Sequence, residues 1–271
     1  MAVDVRSLIA KQPAPLVAAP MTGVSGPDLV IACCRSGIMG SFPSTNAAGG
    51  DLTRWLAQID DSLSESDASY SVNLPLRLAG DRLQADLDAT LASRASAIIV
   101  SVGGPGAIVG PAHDAGKAVI AVVATLHHAR RAIDVGCDGV VALSAGAGGF
   151  TGWMNPFAFV RALRSETDLP VVLAGGITDR PSLDAAVALG CDAAYIGTPL
   201  IATAESMADS SYRSAVVGAG IDDVELRTMP NGLRSNGIGD ESLFHSMGHT
   251  AHGVNQVRSV AEVVAAFSRE P

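Results

Sequence analysis

Residues 174–177 read "AGGI" and residues 196–198 read "IGT", each directly after a short apolar run. Glycine at a strand end lets the backbone approach a ligand, and unpaired N–H groups there bind an anion without any cationic side chain. A helical pattern begins near Asp179, and the positive end of that helix would add to the attraction. The chemistry on offer is phosphate binding. The same glycines also suit plain turns, so spacing alone leaves both readings open. A third glycine-rich turn closes "GVVALSAGAGGFTGW" (139–153), where Phe150 sits among four glycines.

These turns act together only if the strands before them converge. Eight apolar runs of strand length recur: "PLVAAPM" (15–21), "GIMGSFP" (37–43), "YSVNLPL" (70–76), "SAIIVSVG" (96–103), "AVIAVVA" (118–124), "GVVALSA" (139–145), "PVVLAGG" (170–176) and "AAYIGTP" (193–199). Helical patterns lie between them, as at 81–95, 126–136, 155–167 and 179–190. Near-continuous apolar strands alternating with helices predict a parallel sheet, and eight units in 271 residues predict an α/β fold of the (β/α)8 TIM-barrel type. A weak repeat agrees, because "AIDVGCDGVV" and "AVALGCDAAY" both run helix, Gly, Cys-Asp, strand. The doubly wound open sheet is the alternative, but "GPDLVIACC" follows the first strand without a G-x-G-x-x-G turn. From Asp222 the chain turns polar and glycine-spotted, then ends in a helix with Ser259 as N-cap and Glu262 completing a capping box. The expected organisation is a barrel over 1–221 and a small C-terminal cap segment over 222–271, packed over the barrel mouth.

In a barrel the site lies where the strands stop. Here the stops are rich in Gly, Ser, Thr and Asn and hold almost no charge. That rim offers no carboxylate pair for glycosidic chemistry, and no His/Cys/Asp cluster has metal-ligand spacing. Reactivity would come from a bound cofactor. A net charge of −9 without a basic stripe argues against nucleic acid. Cys33, Cys34, Cys137 and Cys191 show no C-x-x-C spacing and read as reduced core thiols. The first twenty residues lack a signal-peptide pattern, and no window reaches the roughly 18 apolar residues of a membrane span, so a cytoplasmic protein is expected.

The stretches "PLVAAPMTGVSGPDLVIACCRSGIMGSFPSTNA", "YSVNLPL", "ALSAGAGGFTGWMNPFAFVRALR", "PVVLAGGITD" and "DAAYIGTPLIATAES" together resemble the nitronate monooxygenase family, formerly the 2-nitropropane dioxygenases, which includes FMN-dependent enoyl-acyl-carrier-protein reductases. The resemblance spans nearly the whole chain in order. It implies a TIM barrel holding non-covalent FMN across its mouth and a small-molecule nitronate oxidised with oxygen as acceptor. Carried over by position, it implies that Ala19, Pro20 and Met21 line the flavin ring, Asn73 hydrogen-bonds it and Ser101 lines the site. Gly148 and Gly149 would pass close to the cofactor, and Gly175, Gly176, Gly197 and Thr198 would hold its phosphate.

Two departures stand out. The family's turn reads A-G-G-H, with its histidine credited as catalytic base or substrate-positioning group, whereas this chain has Phe150 there. Phe150 cannot exchange a proton. It is then a shape element in an enzyme needing no base, or is replaced by a histidine from elsewhere, or marks a non-catalytic flavin-binding protein. The replacement candidates are His249, His245 and His252 in the tail and His128 and His127 after the fifth strand. A reductase passing electrons from NAD(P)H to an enoyl or quinone acceptor is the alternative activity. Trp153 and Phe157 are expected to fill space between barrel and helix. Second, the region after Asp222 is shorter than the family's usual substrate-covering segment, and no basic patch marks a carrier-protein or coenzyme A partner.

Overall fold

The computed structural model describes residues 4–10, 12–47, 51–240 and 243–268. Twelve strands occur among them: β1 (Leu16–Ala18), β2 (Gly40–Pro43), β3 (Tyr70–Pro75), β4 (Ala97–Ser101), β5 (Ala118–Val123), β6 (Gly139–Leu143), β7 (Gly149–Phe150), β8 (Val171–Ala174), β9 (Ala193–Ile196), β10 (Glu225–Thr228), β11 (Arg234–Gly239) and β12 (Phe244–Ser246). Eight form one parallel sheet in the order β1-β9-β8-β6-β5-β4-β3-β2, and these are the eight apolar runs of the sequence. A parallel bridge between Val17 and Met39 closes the ring, with Ala18 N–H donating to Met39 O at 2.9 Å. The fold is a (β/α)8 TIM barrel.

Alternation along the strands explains the two packed layers. One set of side chains, including Val17, Met39, Ile99, Ile120, Val141 and Val172, fills the barrel. Val5 and Ile9, from the helix Val5–Ala10, join this set and plug the N-terminal end. The other set meets the surrounding helices. Local signals fix the helix starts. Asp179 and Ser182 make a reciprocal capping box before Arg180–Leu189, Asn155 caps Pro156–Arg164, and Thr125 caps Leu126–Asp134. The repeated Cys-Asp pairs have a structural role: Asp138 accepts from Val119 N–H at 2.7 Å and Asp192 from Val171 N–H at 2.8 Å, each tying a strand start to its neighbour. All four cysteines are free and buried, and burial pushes the thiols of Cys34, Cys137 and Cys191 up to about 12, which keeps them unreactive.

The tail does two things. Strands β10, β11 and β12 form an antiparallel sheet, and β11 also pairs with β7, matching Ser235 to Phe150 and Asn236 to Gly149. The closing helix Val260–Ala265 carries the expected Ser259–Glu262 capping box and packs on helix Pro27–Arg35 in the outer layer. The tail's sheet was not legible beforehand. Trp153 and Phe157 correct another expectation, being 67% and 58% exposed. Helix Pro156–Arg164 already presents Phe159, Val160 and Leu163 to the core, and Phe157 falls off that stripe. Among the described residues no helix is long and apolar enough to cross a membrane, and no cluster of three or more His, Cys, Asp or Glu is placed to hold a metal.

Candidate active site

The C-terminal strand ends surround a cavity of about 380 Å³. Its first wall is the loop after β1. Ser25 Oγ accepts from Met21 N–H at 3.0 Å, and Asn46 Nδ2 donates to the carbonyls of Met21 (2.9 Å) and Ser25 (2.8 Å) while Asn46 Oδ1 accepts from Gly23 N–H (3.0 Å). Arg82 holds the Asn46 turn in place by donating to Ala47 O at 2.6 Å. Ala19, Pro20 and Met21 are thereby fixed on the cavity wall. Sequence reasoning missed Asn46, whose only signal was a polar residue at the end of the second strand.

On the floor, Asn73 from β3 and Ser101 from β4 are joined. Asn73 Nδ2 donates to Ile99 O and to Ser101 Oγ, both at 3.0 Å. Both amide hydrogens are committed inside the barrel and Asn73 Oδ1 accepts from Ser101 Oγ at 3.4 Å, so its remaining acceptor position on Oδ1 is what Asn73 has to offer a ligand.

The glycine turn after β6 forms the third wall, and its composition now has a cause. A Cβ on Gly148 would stand 2.6 Å from Gly248 N, and one on Gly152 would stand 2.0 Å from Leu143 O. The turn runs against the C-terminal segment, with Asn236 Nδ2 donating to Ala147 O at 2.8 Å and His249 N–H to Gly146 O at 3.2 Å. Gly148, Gly149 and Phe150 all line the cavity.

The fourth wall is made by the turns after β8 and β9. Gly176 has φ +80°, and nothing lies within 4 Å of where its Cβ would be. The N–H groups of Gly176, Ile177 and Gly197 donate to no group among the described residues. Gly175 and Thr198 complete this wall, with Thr198 Oγ1 accepting from Gly248 N–H at 2.9 Å. Helix Arg180–Leu189 starts just beyond this wall, with its N-terminal end nearest these residues in the chain.

No Asp, Glu, Lys, Arg, His or Cys lines the cavity among the described residues. His249 and His128 are exposed and outside the lining. His249 lies behind the turn, its Nδ1 3.1 Å from the Cβ position of Gly146, and His128 sits on an outer helix capped by Thr125. His127 and His252 are exposed too, and His245 stacks on Tyr212 with ring centroids 4.6 Å apart. The titratable lining side chains are Tyr195 and Tyr212, both raised above the ordinary tyrosine value by burial. Tyr212 donates to Ser246 O, whereas the buried Tyr195 hydroxyl has only Ser41 beside it.

Fold and cavity define a (β/α)8 barrel protein with its cavity at the strand C-termini and unpaired main-chain N–H groups after the last two strands. The family model for nitronate monooxygenase matches residues 52–264. The chain is 31% identical over 247 residues to the nitronate monooxygenase of Paraburkholderia phytofirmans, covering 75% of this chain and 68% of that one. It is 29% identical over 273 residues to the nitronate monooxygenase of Pseudomonas aeruginosa, covering 85% and 78%. Among solved structures, FabK from Thermotoga maritima superposes with a TM-score of 0.87 at 21% identity, covering 98% of this chain and 95% of that one. Nitroalkane oxidase from Streptomyces ansochromogenes gives 0.85 at 20% identity, covering 96% of each. At these identities the two structures speak to the fold. The chain belongs to the nitronate monooxygenase family and is a flavin-dependent oxidoreductase of that type.

Proposed function

We propose that the protein binds FMN and oxidises a small nitronate with oxygen as acceptor. One observation carries this reading: a cradle of unpaired N–H groups at Gly176, Ile177 and Gly197 stands at one side of a cavity without charged side chains. Open space over Gly176 and the short side chains along this wall fit a phosphate. Gly175, Gly176, Gly197 and Thr198 would hold that phosphate; the Thr198 oxygen accepts from Gly248, which leaves its O–H to donate. Ala19, Pro20 and Met21 would line the flavin ring, with Gly148 and Gly149 close by. Asn73 Oδ1 would accept from a ring N–H, held at its angle by Ser101 and Ile99. Bound FMN supplies reversible two-electron redox chemistry.

A nitronate reaches the site with its α-proton already removed. Its oxidation asks no side chain to act as base, so Phe150 in place of a histidine is compatible with the activity. Phe150 excludes water and shapes the wall, while Tyr195 and Tyr212 stay protonated. The segment 222–271 serves as a cap through β10–β12 and returns to the barrel through its closing helix.

The same apolar wall favours a second reading, in which NAD(P)H is the donor and an enoyl or quinone compound the acceptor, because hydride transfer also needs no base there. A flavin-binding protein without turnover is the third. The visible spectrum of the purified protein, with mass identification of the small molecule released on denaturation, tests the cofactor. Anaerobic mixing then separates the donors: bleaching of the flavin by a nitronate supports the first reading, bleaching by NAD(P)H alone the second, and by neither the third.

A further inference from the structure

The sheet of the C-terminal segment ends on β10, and among the described residues no strand pairs with its outer side. The far side of β11 sets the phase of that open edge. Arg234 O accepts from Thr151 N–H at 3.1 Å and Asn236 O from Met247 N–H at 3.2 Å, so these two residues turn their main-chain groups away from β10. Ser235 and Gly237 therefore bond their partners Arg227 and Glu225. Leu226 and Thr228, opposite Asn236 and Arg234, point their N–H and carbonyl groups off the edge. Val224 is extended and continues the alternation.

An open edge is a template for another strand, and a charge repeated on every copy is a common deterrent. On β10 the charges cancel. Glu225 and Arg227 flank Leu226, itself 47% exposed, with opposite signs. Arg227 is fixed in place: its Nη2 donates to Glu225 Oε2 at 2.7 Å, and its Cζ lies 5.6 Å from the centre of the Phe244 ring.

This edge is complementary to itself. Two copies paired antiparallel about Leu226 set Leu226 against Leu226, Val224 against Thr228, and Glu225 against Arg227 on both sides of the axis. The outward N–H and carbonyl groups then fall in hydrogen-bonded pairs, and the charges in the closer pairs between them. Registers centred on Glu225 or on Arg227 oppose like charges, so the sequence selects Leu226 as the axis. Asp222 and Asp223 then fall opposite Pro230 and Met229 rather than each other.

We propose that β10 is the interface of a two-fold dimer, in which a second copy of this chain continues the sheet through Leu226. Met229 lines the cavity and directly follows β10, so the interface adjoins the cavity wall. An edge of this length buries little surface, and the dimer is reversible.

Sedimentation of the purified protein from about 1 to 500 µM tests the association, and needs no flavin. The wild type is expected to pass from monomer to dimer. Glu225→Arg and Arg227→Glu each oppose like charges across the axis and should weaken the dimer at least about tenfold. The double variant exchanges the two charges and should restore it to within about threefold. Amide exchange reads the register: the N–H groups of Val224, Leu226 and Thr228 should slow as concentration rises, while those of Glu225 and Arg227 stay unchanged. A wild type that stays monomeric, a dimer indifferent to both reversals, a double variant as weak as the singles, or protection on the other set of amides overturns the proposal.

Discussion

The N–H of Gly248 donates to Thr198 Oγ1 at 2.9 Å, joining the C-terminal segment to the end of the last barrel strand. Both residues are buried, so this one bond couples the wall after β9 to the C-terminal segment. Thr198→Val keeps the shape and leaves Gly248 N–H unpaired in the interior, at a cost of about 1–3 kcal/mol. Thermal unfolding should show that loss, and Thr198→Ser should recover most of it. Equal melting temperatures for wild type and Thr198→Val would mean the bond contributes nothing.

The cradle should distinguish FMN from riboflavin. Gly176→Asp would put a carboxylate into the open space over Gly176, facing any bound phosphate. FMN affinity of the apoprotein is expected to fall at least about tenfold, less at high salt, while riboflavin affinity changes little. Flavin-fluorescence titration reads both. Equal losses for the two flavins would place the phosphate elsewhere.

Phe150 lines the cavity but exchanges no proton. Phe150→His should therefore leave nitronate oxidation within a few-fold and add the ability to abstract the α-proton of a neutral nitroalkane, a gain on the order of 10²-fold for a positioned base. Exchange of that proton in deuterated water, followed by NMR, measures the step independently of flavin turnover. No acceleration would show that this side chain does not face the reacting carbon.

Stability should fall on the alkaline side. Burial raises Cys34, Cys137 and Cys191 from 9.0 to about 12, and Tyr70, Tyr195 and Tyr212 also lie above their ordinary value of 10.0, mainly through burial. The native state thus holds protons that the unfolded chain releases. This contribution is complete below about pH 9 and is lost as pH climbs toward the native values. Lys117, lowered by burial, opposes it as a single group. Melting temperatures from pH 8 to 11 should decline above pH 9, and a flat profile would contradict the burial of these groups.

Much of the barrel was legible because its signals are local. The eight strands announce themselves by apolar runs, and the Ser259 cap by the glutamate three residues on. The histidines were less readable. His249 and His128 were plausible from their places in the chain, but one lies behind the glycine turn and the other outside on a helix. Which way a loop side chain points depends on contacts that spacing does not encode.

The sequence by itself determined the alternation of strands and helices, the glycine-bearing strand ends and the absence of charge along the rim, since each depends on neighbours within one turn or strand. Tertiary structure alone decided the rest. Asn236 reaches Ala147 across 89 positions, β7 exists only because β11 pairs with it, and Leu76 and Arg77 donate to the carbonyls of Ser101 and Val102 in the loop after the next strand. Such features arise when distant segments are forced together by a shared core, and no short window of residues contains the partners that fix them.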